Sequence, residues 1–352
     1  MYSDTLYRPF LCAKTPLESY TVDIPRANAI QKLDDISLSE FSSSWTDTPF
    51  ILATPIRSWP VFSDWSITSL LEKYSKTKFR AEAVDWPLET YVEYLNNNQD
   101  ESPLYLFDRG FVEKMDLKVG TKEAEGDYWP PGCFGSDLFT ALGQDRPDNR
   151  WLIIGPERSG STFHKDPNAT SAWNAVLRGS KYWLMFPPSV TPPGVFVSSD
   201  GGEVTSPLSI AEYLLGFHAI ARGTPGCKEA ICGEGEVMHV PSGWWHLVVN
   251  LDSAIAITQN FVAEQGVRRA LKFLSEKKDQ VSGFRDDVGD PHELFMKRLA
   301  EKWPEVLEEI GRGSKRKWSE VVKGLHPDEE NQKRSNGFSF GFSGADSDED
   351  VP

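Results

Sequence analysis

The sequence predicts an all-β core, a compact antiparallel double sheet or barrel, with helices before and after it. Three observations predict it. From about residue 151 the chain becomes a series of short runs rich in aromatic and β-branched residues. Most of these runs are separated by Gly, Pro, Asn or Asp, the residues of tight turns. No helical pattern is regularly interposed, which argues against a parallel βαβ sheet and for a closed antiparallel arrangement.

In chain order, residues 1 to about 45 are mixed and end Ser-rich at Ser37, Ser39, Ser42, Ser43 and Ser44. Pro49 to Ile56 reads as a strand broken by Pro55. Ser66 is placed to cap a short helix through Leu70, Leu71 and Tyr74. Pro87 suits the first turn of a helix whose apolar stripe is Leu88, Tyr91, Val92 and Leu95. Leu104 to Phe107 is a short buried strand. The core strands are then Trp151–Gly155, Ser161–Pro167, Trp173–Leu177, Lys181–Phe186, Gly235–Val240, Trp245–Asn250 and Ala254–Asn260. One helical excursion interrupts them, opened by Ser206-Pro207 and running through Ile210, Tyr213, Leu214 and Phe217 to near Gly223. Beyond the core, Val267–Glu276 is helical. Asp290-Pro291-His292-Glu293 has the cap, first-turn proline and N3 glutamate of a helix expected to reach about Ile310. Trp318, Val321 and Val322 suggest one more short helix. The ending, with SNGFSFGFSG and ADSDEDVP, has the composition of a disordered acidic tail. The expected organisation is an extension (1–45), a mixed α/β support region (46–150), the β core (151–262) with its excursion at about 188–232, C-terminal helices (263–327) and the tail (328–352).

At 352 residues the chain can build one large core or two modest domains. A formal net charge of -15 disfavours general adhesion to nucleic acid or anionic membrane and favours a basic protein partner. Cys12, Cys133, Cys227 and Cys232 suggest no disulfide framework, so a reducing compartment is expected. Cys227 and Cys232 lie close together, but no second close pair completes a tetrahedral zinc site. The N-terminus lacks the basic start and apolar run of a signal peptide, and no stretch approaches the roughly 18 apolar residues that span a bilayer. A soluble, intracellular protein is expected.

The segment that carries chemistry is His164-Lys165-Asp166. On a strand, side chains two apart share a face, roughly 6.5 Å from one another. An imidazole and a carboxylate would then look into one interior while Lys165 looks away. A second imidazole must return by folding. His239 and His246 stand seven apart around Pro241-Ser242-Gly243, and spacing does not choose between them. A lone histidine on a strand is more often a packed core residue, and His239 is read so. Two imidazoles and one carboxylate occupy one face of an octahedron and suit non-haem Fe(II), leaving positions open for a cosubstrate and oxygen.

The segments SPLYLFD, WLIIGPERSGSTFHKDPNATSAWNAVLRGSKYWLMFPP and GEVMHVPSGWWHLVVNLDSAIAITQNF, in that order, carry a resemblance. From about Thr46 to Ala263 the chain resembles the Jumonji-C family of Fe(II)- and 2-oxoglutarate-dependent oxygenases, in the lysyl hydroxylase branch that includes the phosphatidylserine-receptor-like proteins. The resemblance implies a double-stranded β-helix, the jelly-roll or cupin core, and makes His164, Asp166 and His246 the iron ligands. It implies that Lys181 pairs with the distal carboxylate of 2-oxoglutarate, a role suited to a buried point charge. Asn174 and Thr258 match residues lining the cosubstrate pocket, Tyr105 reaches the same carboxylate, Ser161 offers a hydroxyl there, and Asn260 is a further pocket residue. The implied reaction consumes O2, releases succinate and CO2, and oxidises a protein side chain, first of all by lysyl hydroxylation. Two alternatives stand beside it: demethylation of a histone lysine or arginine, and a catalytically inactive binding protein of the same fold. The expected partner is a basic protein or peptide, a histone or an RNA-associated protein, with the C-terminal helices offering a homodimer surface. Membrane attachment and direct nucleic-acid binding are not expected. Lys315-Arg316-Lys317 reads equally as a nuclear import signal or a solvated helix face, so nucleus, cytoplasm or both are expected. The chain departs from the lysyl hydroxylase branch in lacking long polybasic runs and in the 188–232 excursion.

Overall fold

The computed structural model describes residues 16–207 and 209–311. Its strands are β1 (Gln31–Leu33), β2 (Phe50–Leu52), β3 (Lys78–Ala81), β4 (Val84–Pro87), β5 (Leu106–Asp108), β6 (Arg150–Gly155), β7 (Gly160–His164), β8 (Ser171–Arg178), β9 (Lys181–Phe186), β10 (Phe196–Val197), β11 (Val204–Thr205), β12 (Lys228–Cys232), β13 (Val237–Val240), β14 (Trp245–Asn250) and β15 (Ala254–Phe261). The longer helices are α1 (Ile67–Tyr74), α2 (Leu88–Asn97), α3 (Ile210–Gly223), α4 (Val267–Glu276) and α5 (Pro291–Lys302). A nine-stranded sheet runs β1-β2-β13-β8-β15-β6-β5-β3-β4, and a four-stranded sheet runs β12-β9-β14-β7. Within both, β1 with β2 is parallel and the other pairs are antiparallel.

The two-residue period of a strand sorts the core into three layers. On β9, Tyr182, Leu184 and Phe186 face outward, where they pack with Ile210, Tyr213 and Leu214 of α3. Trp183 and Met185, between them, face inward and meet Ala172 and Val176 of β8 and Val248 of β14. Trp173, Ala175 and Leu177, the alternate residues of β8, face the opposite outer layer with Trp59, Phe79 and Tyr91. Strands covered on both sides read as continuous apolar runs, which is why WLIIG and KYWLMF show no polar alternation. The inner layer is the space between the sheets, and the polar residues of the expected site line it.

Local signals at the helix ends act as read from the sequence. Ser66 caps α1 with a reciprocal capping box to Ser69, and the Asp290 side chain accepts from the backbone amides of His292 and Glu293 to start α5. α5 ends at Lys302, not near Ile310, because Pro304 disfavours helical geometry at the residue before it. Residues 304–311 are again helical, and the compact unit that holds the sheets ends at Pro304.

The excursion is shorter than 188–232. It holds the β10–β11 hairpin and α3, but Lys228–Cys232 is core strand β12, paired along its length with β9. That strand separates the close cysteines, Cys227 into the outer layer and Cys232 into the inner one. The hairpin β3–β4 is a further element the sequence reading omits, since its exposed residues Lys78 and Arg80 dilute the strand pattern. The large sheet also crosses the expected boundaries at 45 and 150, through the pairs β1–β2 and β5–β6. Among the described residues no helix is long and apolar enough to cross a membrane. The helix expected around Trp318, the Lys315–Lys317 run and the tail lie outside the described residues.

Candidate metal centre

Strand pairing delivers the two imidazoles. His246 on β14 is the direct partner of His164 at the end of β7, and their ring centroids lie 4.1 Å apart. Asp166 arrives differently. β7 stops at His164, so the carboxylate is presented by a loop and not by a shared strand face. Pro167 cannot extend the ladder, and a tight turn over Pro167–Ala169 follows with Asn168 in the left-handed region at φ 55°. The Asn168 side chain locks that turn, donating to the Ser282 carbonyl at 2.9 Å and accepting from the Ser282 amide at 3.1 Å. Ligand atoms of His164, Asp166 and His246 all fall within 4.8 Å of one another.

The protonation pattern suits a cation at their centre. Nδ1 of His164 lies 2.8 Å from the Thr162 carbonyl, and Nδ1 of His246 lies 3.2 Å from the Trp244 carbonyl. A carbonyl only accepts, so each Nδ1 carries a proton, and Nε2 is the ring atom left to meet a metal. Burial, and then His164, push the His246 pKa well below the usual histidine value and keep it neutral. Burial raises the Asp166 pKa, against the lowering effects of His164 and the Asn260 hydrogen bond. The Asn260 amide donates to Asp166 Oδ1 at 3.2 Å, while Oδ2 is enclosed with no partner. An unmatched buried carboxylate oxygen is costly unless something positive meets it. Two imidazoles and that oxygen fit Fe(II).

Beside the trio lies a cavity of about 280 Å³, lined by all six other expected residues: Tyr105, Ser161, Asn174, Lys181, Thr258 and Asn260. Lys181 is 3% exposed and donates to Asn250 Oδ1 at 2.7 Å. Burial pushes its pKa down to about 8. Asn174 Oδ1 is enclosed without a partner. Burial raises the Tyr105 phenol to about 12, and Ser161 hydrogen-bonds it. The Thr258 hydroxyl donates to the Trp173 carbonyl at 3.0 Å. Asn260 lines the same cavity and gives its amide to Asp166 and to Thr170 Oγ1, the latter at 3.0 Å.

His239 stands apart from this group. It points into the outer layer between Phe41, Phe50 and Phe134, 4.8 Å from the Phe50 ring centroid, with Nδ1 near the Thr48 carbonyl. Burial pushes its pKa down to about 3, so it packs as a neutral ring. Lys165 turns away as expected, its ammonium 4.4 Å from the Trp245 ring centroid.

Residues 42–266 match the family described as a cupin-like domain. The chain belongs to it, in the Jumonji-C group. An Arabidopsis thaliana relative, named as the arginine-specific demethylase JMJ22, is 40% identical over 314 residues, covering 88% of this chain and 61% of its own length. The Caenorhabditis elegans protein named as the bifunctional arginine demethylase and lysyl-hydroxylase psr-1 is 31% identical over 306 residues, covering 82% of this chain and 73% of its own. The human protein named as the 2-oxoglutarate and iron-dependent oxygenase JMJD4 is 34% identical over 171 residues, 46% of this chain and 40% of its own. This Jumonji-C chain therefore spans about three fifths of the Arabidopsis relative.

Residues that sequence reasoning missed also line the Jumonji-C cavity: Asn250, Trp151 and Trp183. Alternation could have found them. His246, Val248 and Asn250 share a face of β14, Lys181 and Trp183 share one of β9, and Trp151 and Ile153 share one of β6. Ser161 breaks the rule, since it stands three residues before His164 yet lines the same cavity. The register of β14 against β7 shifts between His246 and Val248, and this bulge re-aims the strand.

Proposed function

We propose that the chain is an Fe(II)- and 2-oxoglutarate-dependent dioxygenase acting on a side chain of another protein, first by lysyl hydroxylation. The observation that carries this is a carboxylate with a partnerless oxygen, Asp166, whose ligand atom lies within 4.8 Å of those of His164 and His246, at the wall of a cavity that holds a buried lysine. When bound, iron and 2-oxoglutarate supply the oxidising chemistry, in which O2 is consumed, succinate and CO2 leave, and a substrate C–H becomes an alcohol. The chain's own part is to hold and exclude. Lys181 offers the cation for the distal carboxylate, Tyr105 and Ser161 offer hydroxyls, and Asn174 offers an amide. The walls Trp151, Ile153, Trp183 and Val248 keep water from the reacting atoms. Demethylation of arginine or lysine is the second reading, favoured by the names of the plant and nematode relatives. An alcohol formed on an N-methyl group collapses to formaldehyde and the demethylated amine. A histone as the substrate protein, and a homodimer through the C-terminal helices, are parts of the same proposal.

Mass spectrometry of basic peptides incubated with protein, Fe(II), ascorbate and 2-oxoglutarate tests it. A gain of one oxygen supports hydroxylation and loss of a methylene supports demethylation. Absence of succinate with every peptide leaves a binding protein.

A further inference from the structure

We propose that a second cleft, opening onto His164, is a subsite for a cationic side chain, with Glu82, Glu101 and the exposed faces of Phe107 and Trp151 as its specificity-determining groups. This rests on the function proposed above and names the substrate chemistry that reaches the metal.

The cleft measures about 540 Å³ and shares Tyr105, Phe107 and His164 with the metal cavity, so the two adjoin. Its walls carry the carboxylates of Glu82 and Glu101 against one guanidinium, Arg158. Glu82 sits in the two-residue turn between β3 and β4, held at φ 48°, a left-handed conformation uncommon outside glycine. That turn places an exposed carboxylate at the rim. Burial raises the Glu82 pKa, and among the described residues no cation pairs with it. Glu101 accepts from the Ser209 hydroxyl at 2.6 Å through one oxygen, and its other oxygen is enclosed without a partner. Two carboxylates at one cleft with no paired cation among the described residues favour an incoming positive charge.

The remaining wall is aromatic. Phe107 stacks on Trp151, with centroids 5.2 Å apart and planes 14° from parallel, and Tyr105 packs 5.9 Å from Phe107. Phe107 and Trp151 are each only partly buried, and both line the metal cavity, so a wall of ring faces leads from the rim toward the ligands. Ring faces attract ammonium and guanidinium groups, methylated ones included, and carboxylates add directed charge. A neutral side chain of the same length gains little from either.

The test loads the full chain with Mn(II) and 2-oxoglutarate, which holds the site without turnover. It then measures the affinity of short peptides in two matched pairs, lysine against norleucine and arginine against citrulline. At least one charged member should bind about tenfold more tightly than its neutral counterpart. The Glu82→Gln/Glu101→Gln double variant should lose that preference, and Phe107→Leu should reduce it. Equal binding of charged and neutral members, no binding of any, or a preference untouched in the double variant overturns the subsite. Glu82→Gln alone, at an exposed turn, keeps the measurement open if the double variant fails to fold. Peptide-independent conversion of 2-oxoglutarate to succinate with Fe(II) is measured alongside. Its absence in the unaltered protein counts against the oxygenase reading, whereas its presence without charge preference counts against the subsite alone.

Discussion

The two faces of β9 hold polar groups in opposite conditions. On the outward face, Tyr182 donates to Glu229 at 2.7 Å and lies 2.9 Å from His218 Nε2, which must then be the donor to the phenol oxygen. Glu229, fully buried, also accepts from Arg222 at 2.7 Å and from Asn28 at 2.9 Å. Burial alone would raise its carboxyl pKa, but the bonds from Arg222, Asn28 and Tyr182 more than offset this and hold it below the usual glutamate value. On the inward face, Lys181 looks toward a cavity in which Asp166 and Asn174 each keep an oxygen without a partner. Both regions are buried and polar. The outward one is closed on itself and ties α3 and the residues near Asn28 to the small sheet, while the inward one lacks groups that only a ligand can bring. On β9, the unmatched carboxylate and amide oxygens of Asp166 and Asn174, more than burial or charge, distinguish the inward face from the Glu229 network outside.

Substitutions on the two faces should therefore fail differently. The largest effect belongs to His246→Ala, which removes one of two paired imidazoles. Turnover should vanish and metal content by atomic spectroscopy should fall below one ion per chain, with the circular dichroism spectrum kept; residual turnover would break the assignment. Glu229→Gln should do the reverse, costing about 3 kcal/mol in urea unfolding because Arg222 loses its charge partner, with bound metal unchanged. Since the folded Glu229 pKa is depressed, its contribution is fully present above the unfolded carboxyl pKa and is lost as pH falls through the folded one. Lys181→Met keeps the volume but removes the charge, so the apparent affinity for 2-oxoglutarate should drop by about tenfold or more. An unchanged affinity would remove Lys181 from that role. Asn260→Ala should have the smallest effect. Releasing Asp166 from its amide should weaken metal binding about tenfold by titration while leaving 2-oxoglutarate affinity at saturating metal nearly as before.

The scaffold was legible wherever periodicity follows burial. WLIIG, KYWLMF and WHLVVN announce doubly covered strands, whereas HKD alone is a weak signal and the Jumonji-C resemblance supplies the chemistry expected of it and of Lys181. β12 was hidden because Lys228 and Glu229 look like surface residues, and only the fold shows Glu229 enclosed by Arg222, Tyr182 and Asn28. The spacing of two suits a strand for Asp166, whereas β7 stops at His164 and Pro167 opens the turn that follows. Ser161 fits neither period, since a bulge is a pairing irregularity and leaves no mark in one strand read alone. The resemblance marks Asn260 as a pocket residue, but its partner Asp166 lies 94 positions away, and hydrogen bonds over that separation are not written in local pattern.

The direct pairing of His164 with His246 has a consequence for the life of the protein. Backbone ladders, and not the ion, set the spacing of those imidazoles, and the Asn168–Ser282 bonds hold the loop that presents the third ligand. Unlike a zinc finger, whose chain collapses around its metal, this domain can finish folding first and take up iron later. A copy stripped of its ion keeps a ready socket and can be reloaded.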